Sequence, residues 1–211
     1  MIRSLLFGLA GVGAAVFAAQ EPPMSRADRA SDGRELRSLG PVPEPADNPS
    51  TPAKIALGKR LFFDPVLSGS NRTSCASCHK PERGFADDRR LSPGDGGAAL
   101  PRHTPGLLNV AYNLTQFWDG RAGSLEEQAL KPVDSPAEMN QPLGEVVAEL
   151  SSAGYAAEFR KAFGTDVSLD GVAKALAAYQ RSLVENDTPY DRWLKGDERA
   201  MSYAATRGLL I

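Results

Sequence analysis

The chain has 211 residues, 42% of them hydrophobic and 24% charged, with a formal net charge of −2. That balance predicts no nucleic-acid footprint, and the lack of a basic run removes the usual signature of a membrane surface. The length holds one good-sized domain, or one domain plus part of another, behind a short leader.

Residues 1–19 carry a single basic residue, Arg3, an apolar stretch from Leu5 to Phe17, and small residues at Val16 and Ala18. This pattern predicts a cleavable secretory signal and a periplasmic destination. A stable membrane anchor is not expected, because the apolar stretch is shorter than the roughly 20 residues that cross a bilayer. Residues 20–50 are rich in Pro, Arg, Asp and Glu and poor in large apolar side chains, which predicts a flexible lead-in. Thr51-Pro52 then offers an N-cap and a first-turn proline, and Ile55, Leu57, Leu61 and Phe62 follow at near-helical spacing. One helix running to about Phe63 is expected.

Both cysteines of the chain fall in Cys75-Ala76-Ser77-Cys78-His79. Two thiols three positions apart reach the two vinyl groups of one porphyrin, and the adjacent imidazole is then held beneath the iron. Cys75 and Cys78 are therefore the expected attachment points of a c-type haem, with His79 as proximal ligand. A redox-active cysteine pair, a vicinal disulfide and half of a zinc site are the alternatives. Zinc fits worst, since Cys78 and His79 are neighbours that can hardly share one ion and His103 is the only other histidine.

Beyond the motif, residues 81–105 turn to Gly, Pro, Asp and Arg over a length that is rarely idle, and a loop wrapping the haem edge is expected. Ser124-Leu125-Glu126-Glu127 reads as a capping box opening a helix to about Leu130, and Ser135-Pro136-Ala137-Glu138 as one opening a second short turn. Leu143 to Ser151 and Tyr155 to Phe163 have the pattern of amphipathic helices. A longer helix is expected from Leu169 to Glu185, with Val172, Leu176, Tyr179 and Leu183 on one stripe. No segment alternates with period two over more than a few residues. The fold class is all-α, a cytochrome c-like haem domain with long loops.

Four stretches together carry a resemblance: Leu57-Gly58-Lys59-Arg60-Leu61-Phe62-Phe63-Asp64, Ser74 to His79, Thr104-Pro105, and Phe117-Trp118-Asp119-Gly120-Arg121-Ala122 with Leu125 and Gln128. Over residues 52–196 the chain resembles the amino-terminal half of bacterial di-haem cytochrome c peroxidases. The resemblance implies two c-type haems in the intact protein, the first reacting with hydrogen peroxide and the second collecting electrons from a small cytochrome c or cupredoxin. A homodimer is an option it leaves open for the intact protein. On this reading residues 51–187 are the peroxidatic haem domain, and residues 188–211 are a linker with the truncated start of a second haem domain. No second Cys-x-x-Cys-His precedes Ile211, so a truncated chain is expected, a natural one-haem variant being the other reading. Trp118, Trp193 and Leu209-Leu210-Ile211 are then expected to form an apolar surface that a following domain would cover.

The resemblance also implies roles. Gln128 and Glu138 match the glutamine and glutamate that the family places over the peroxidatic iron, Glu138 as acid–base group and Gln128 as hydrogen-bonding positioner. From spacing alone, Glu138 merely closes the Ser135 capping box and Gln128 faces solvent. Trp118 matches a tryptophan that relays electrons between the haems, while its own composition suits a core aromatic with a satisfied N–H. Many relatives ligate the peroxidatic iron with a removable histidine from the following loop, yet residues 81–102 contain none. His103 stands where the family has an asparagine serving an interdomain calcium, so calcium is not expected, and a solvated His103 is favoured over an iron ligand. Two further functions remain open: oxidation of a partner protein by a di-haem enzyme, and a one-haem electron carrier with Met139 as sixth ligand.

Overall fold

The computed structural model describes residues 36–209. The expected signal, residues 1–19, and most of the lead-in lie outside them. Among the described residues the structure is helical, with β pairing reduced to the isolated bridges Lys80↔Ala86, Pro93↔Ala99 and Gln116↔Ala122. No helix among them is long and apolar enough to cross a membrane. The chain divides into two compact units, one of them Leu39–Asn186 and the other holding residues 187–209 with 36–38 among those described.

Helix α1, Pro52–Phe63, starts where the sequence expects it, with the Thr51 hydroxyl accepting from the Lys54 amide at 3.3 Å. Helix α2 is the single turn Cys75–Cys78, closed by a reciprocal Ser74/Ser77 capping box. Helices α3, Leu125–Ala129, and α4, Lys131–Asp134, follow. Ser124 caps α3 through the Glu127 amide. Residues 136–139 form the second short turn, with Ser135 ending α4. Helices α5, Leu143–Ser152, and α6, Ala156–Phe163, match the two amphipathic segments.

Helix α7, Leu169–Arg181, ends four residues before the expected Glu185. The reason lies 76 positions away: Asn109 bonds Glu185 through both its amide oxygen (2.9 Å) and its amide nitrogen (3.0 Å). The Asn109 backbone amide also donates to the Leu183 carbonyl at 2.8 Å, so the chain leaves the helix to satisfy that side of the loop. Val172, Leu176 and Tyr179 are buried as the stripe requires.

The core is α1 packed on α7. Leu57, Leu61 and Phe62 face Ala175, Leu176 and Tyr179, all buried, and each fully buried large apolar side chain contributes about 1.5–3 kcal/mol. The helices approach so closely because α1 carries Gly58 at the crossing and α7 is rich in alanine. A Cβ on Gly58 would lie 1.9 Å from the Ala175 carbonyl oxygen and 2.9 Å from the Tyr179 Cβ. Phe62 extends this core toward the haem motif, its ring 5.2 Å from Tyr179, 6.0 Å from Phe85 and 6.3 Å from His79, centre to centre.

The lead-in is not flexible throughout. Asn48 is 0% exposed and sits at the centre of a polar clamp. Its amide nitrogen donates to Glu126 (2.7 Å) and to the Lys174 carbonyl (3.0 Å), and its amide oxygen accepts from Lys54 (3.0 Å). Buried Arg181 pairs with Glu126 at 2.7 Å and donates to the Asn48 carbonyl at 3.2 Å. Because each buried polar group finds a partner, burial here costs little, and the folded unit begins well before Thr51.

In the second unit, helix α8 spans Pro189–Leu194 behind a Thr188/Asp191 capping box, and α9 spans Tyr203–Gly208 behind Ser202. Trp193 is buried, which corrects its expected place on an exposed apolar surface.

Gly58→Ala should lower stability by about 3 kcal/mol, the scale of overpacking against backbone that cannot yield. Denaturant unfolding checks this, and an unchanged midpoint would contradict the close helix crossing.

Candidate functional site

A cavity of about 620 Å³ opens beside α2, within the size range of small-molecule and cofactor sites. Cys75, Cys78 and His79 line it, and so do His103, Trp118, Gln128, Glu138 and Met139. The structure thus brings the candidate haem-site residues of the sequence together on one cavity, although they run from Cys75 to Met139. Phe62, Leu107, Val110, Ala129 and Leu176 supply apolar wall, drawn from α1, the 81–113 loop, α3 and α7. Sequence reasoning could not place these, because nothing in their own segments distinguishes them from core.

The helical turn sets Cys75 and Cys78 on one face, three positions apart. Both are free thiols, and burial raises both, Cys75 to about 12. A redox-active pair is favoured by the reverse, a stabilised thiolate. His79 donates Nδ1–H to the Phe85 carbonyl at 2.8 Å. That bond fixes the tautomer and leaves Nε2 as the free lone pair, the arrangement a metal-ligating imidazole requires. Burial pushes the His79 pKa down, favouring the neutral ring that ligation needs, while the Phe85 and Pro105 carbonyls oppose it. Phe85 holds this position at φ 60°, left-handed backbone that an aromatic residue adopts at a cost of about 1–3 kcal/mol.

Glu138 is half-buried in the turn after α4. Burial raises its carboxyl above the ordinary glutamate range, opposed by the Arg121 charge and by Ser135. The turn is braced from the 81–105 loop: the Asp95 amide donates to the Glu138 carbonyl at 2.7 Å, and a Cβ on Gly94 would lie 1.8 Å from the Ala137 oxygen. Gln128, on α3, is half-buried along the same cavity. Met139 is buried next to Glu138.

Residues 116–122 form a small closed loop, with the Gln116 amide donating to the Ala122 carbonyl at 2.8 Å and Phe117 at φ 68°. Trp118 at its tip is 63% exposed, not a core aromatic. Its indole N–H donates to the His103 carbonyl at 2.8 Å. His103 is itself exposed, with Nδ1 donating to the Arg89 (3.1 Å) and Arg90 (3.3 Å) carbonyls. Arg121 is a functional candidate that the residue-by-residue reading missed. Its guanidinium stacks 3.5 Å over Phe117, bonds Asp119 at 2.8 Å, and acts electrostatically on Glu138. Arg121 and Arg102 together hold the Asp119 carboxyl down at about 2.

A paired-thiol turn, a tautomer-fixed histidine and an apolar cavity of this size fit a covalently held haem and define a c-type haem domain. The sequence model of the di-haem cytochrome c peroxidase family matches residues 52–199. The chain belongs to that family, a family of peroxidase-type enzymes that carry haem c. It is 46% identical over 190 residues to a methylamine utilization protein MauG of Methylorubrum extorquens, covering 89% of this chain and 54% of that protein. To a cytochrome c551 peroxidase of Pseudomonas aeruginosa it is 40% identical over 195 residues, covering 89% and 56%. Among solved structures, a MauG-like protein associated with microbial copper homeostasis superposes with TM-score 0.75 at 34% identity, covering 83% of this chain and 53% of that one. The diheme peroxidase BthA from Burkholderia thailandensis E264 superposes at 0.67 with 29% identity, covering 77% and 46%. The chain therefore spans about half the length of these relatives.

Produced with a c-type maturation system, the chain should keep its haem through acid denaturation, and replacing Cys75 and Cys78 together by alanine should abolish that retention. A haem-stained band surviving in the double variant would contradict the assignment of the two thiols.

Proposed function

We propose that this chain is the peroxide-reacting haem half of a periplasmic di-haem oxidoreductase, reducing hydrogen peroxide to water with two electrons from a small redox protein. The observation that carries the reading is the convergence of Cys75, Cys78, His79, Gln128 and Glu138 on one cavity. Cys75 and Cys78 would hold the haem and His79 would ligate its iron. When bound, the haem supplies the site where peroxide is held and the electrons that break its O–O bond.

The chain's own residues handle protons. Breaking the O–O bond heterolytically needs a group that takes a proton from one oxygen and returns it to the other as water leaves. Glu138, with its affinity for protons raised by burial, is suited to both halves of that transfer. Gln128 donates and accepts through its amide and holds the peroxide in register. Arg121 keeps Glu138 from becoming too basic to ionise. Trp118, exposed at the tip of its loop, serves as electron relay toward a second haem domain.

A second reading is oxidation of a residue of a partner protein. The absence of a histidine from residues 81–102 favours it, since an iron without a removable ligand needs no reductive activation before peroxide binds.

Glu138→Gln should slow peroxide cleavage by roughly 100-fold in the haem-loaded chain, with haem content unchanged. The parent's rate should rise with pH through the raised Glu138 pKa, because only the carboxylate accepts the first proton, and the variant should lose that limb. Stopped-flow mixing with peroxide across pH checks both. A variant reacting at the parental rate would leave Glu138 as part of the turn alone.

A further inference from the structure

Outside the residues just assigned, the most unusual group near the haem motif is Asp87. Its side chain is 0% exposed, and it is held from three directions. Lys80 Nζ lies 2.9 Å from Oδ1, the Arg89 amide donates to the same oxygen at 3.1 Å, and Ser92 Oγ donates to Oδ2 at 2.5 Å. Ser92 in turn contacts the Thr104 hydroxyl at 2.7 Å, and Thr104 lines the cavity. Burial alone would raise the Asp87 carboxyl, but the bonds from Ser92, Lys80 and the Arg89 amide outweigh it and hold the group far below the usual carboxylate range. Asp87 is thus a fixed anion.

Its position gives that charge a target. Lys80 directly follows His79, and the Lys80 amide donates to the Ala86 carbonyl at 3.1 Å, drawing the loop back. The Lys80–Asp87 pair therefore closes the same short loop whose Phe85 carbonyl holds His79 Nδ1. The Asp87 charge acts electrostatically on both His79 and Cys78. Lys80 also contacts the exposed Asp88, and its side chain is 21% exposed. Lys80 is partly solvated and shared with Asp88, so it offsets the enclosed Asp87 charge only in part.

We propose that Asp87 is a positioning residue for His79: it locks the Phe85 carbonyl onto the ring and supplies a buried negative charge that lowers the reduction potential of the haem. A lower potential favours the ferric state that peroxide reacts with, and hydrogen bonding to the far nitrogen of a ligating histidine strengthens the ligand in the same direction. This inference rests on the haem reading of the cavity.

The test compares three haem-loaded variants by spectroelectrochemical titration. Asp87→Asn removes the anion and should shift the ferric/ferrous equilibrium about tenfold toward ferrous, an increase of about 59 mV for one electron. Lys80→Gln removes the compensating cation and should shift the potential downward. Ser92→Ala removes a hydrogen bond without changing charge and should move the potential least. All three should lower thermal stability, so stability alone does not separate a brace from an electrostatic role, whereas the opposite signs of the first two shifts do. Shifts of the same sign, or no shift in either, would overturn the proposal; should Asp87→Asn fail to fold, the Lys80→Gln shift decides. Haem retention after denaturation, scored in the same samples, reports separately on the haem reading.

Discussion

The rest of this site depends on the one hydrogen bond that fixes the His79 ring, because a committed Nδ1–H orients the imidazole and leaves the other nitrogen to face the cavity. Its Nδ1–H goes to the Phe85 carbonyl, which fixes both the tautomer and the direction of Nε2. Phe85 offers its carbonyl there in left-handed backbone, and Lys80, Ala86 and Asp87 tie the loop down on either side of that strained residue. The strain at Phe85 is thus part of what holds the His79 ring in place.

The same logic explains the core. A cavity of this size removes packing from the middle of a small domain, so the elements that remain must touch closely elsewhere. Gly58 and the alanines of α7 provide that contact, and Phe62 carries it to the face of His79. On the cavity's other walls, α3 and the α4 turn deliver Gln128 and Glu138. The polar clamp of Asn48, Lys54, Glu126 and Arg181 anchors α3 to α1 and α7.

Much of this was legible in the sequence, because the signals were local. Thr51-Pro52, Ser124 and the Cys75–His79 spacing each specify their own geometry within one helical turn. What was not legible depends on partners far along the chain. Asn48 reads as part of a polar lead-in until Glu126 and Lys174 are brought to it, 78 and 126 positions away. Helix α7 reads as longer than it is because its stop is made by Asn109. Trp118 and Trp193 look alike in composition, yet one is exposed and the other buried. Arg121 and Asp87 sit in segments whose polarity suits a surface loop, and only the fold places one beside Glu138 and the other beside His79.

Glu138 and Met139 are adjacent, and both line the cavity, so peroxide chemistry and electron carriage differ in which of them would face a haem iron held there. The optical spectrum of the ferric, haem-loaded chain separates the two most directly. The expected result is a high-spin iron, five-coordinate or water-bound, with the sixth position open to peroxide. A low-spin spectrum with a methionine–iron band would contradict it and make the domain an electron carrier.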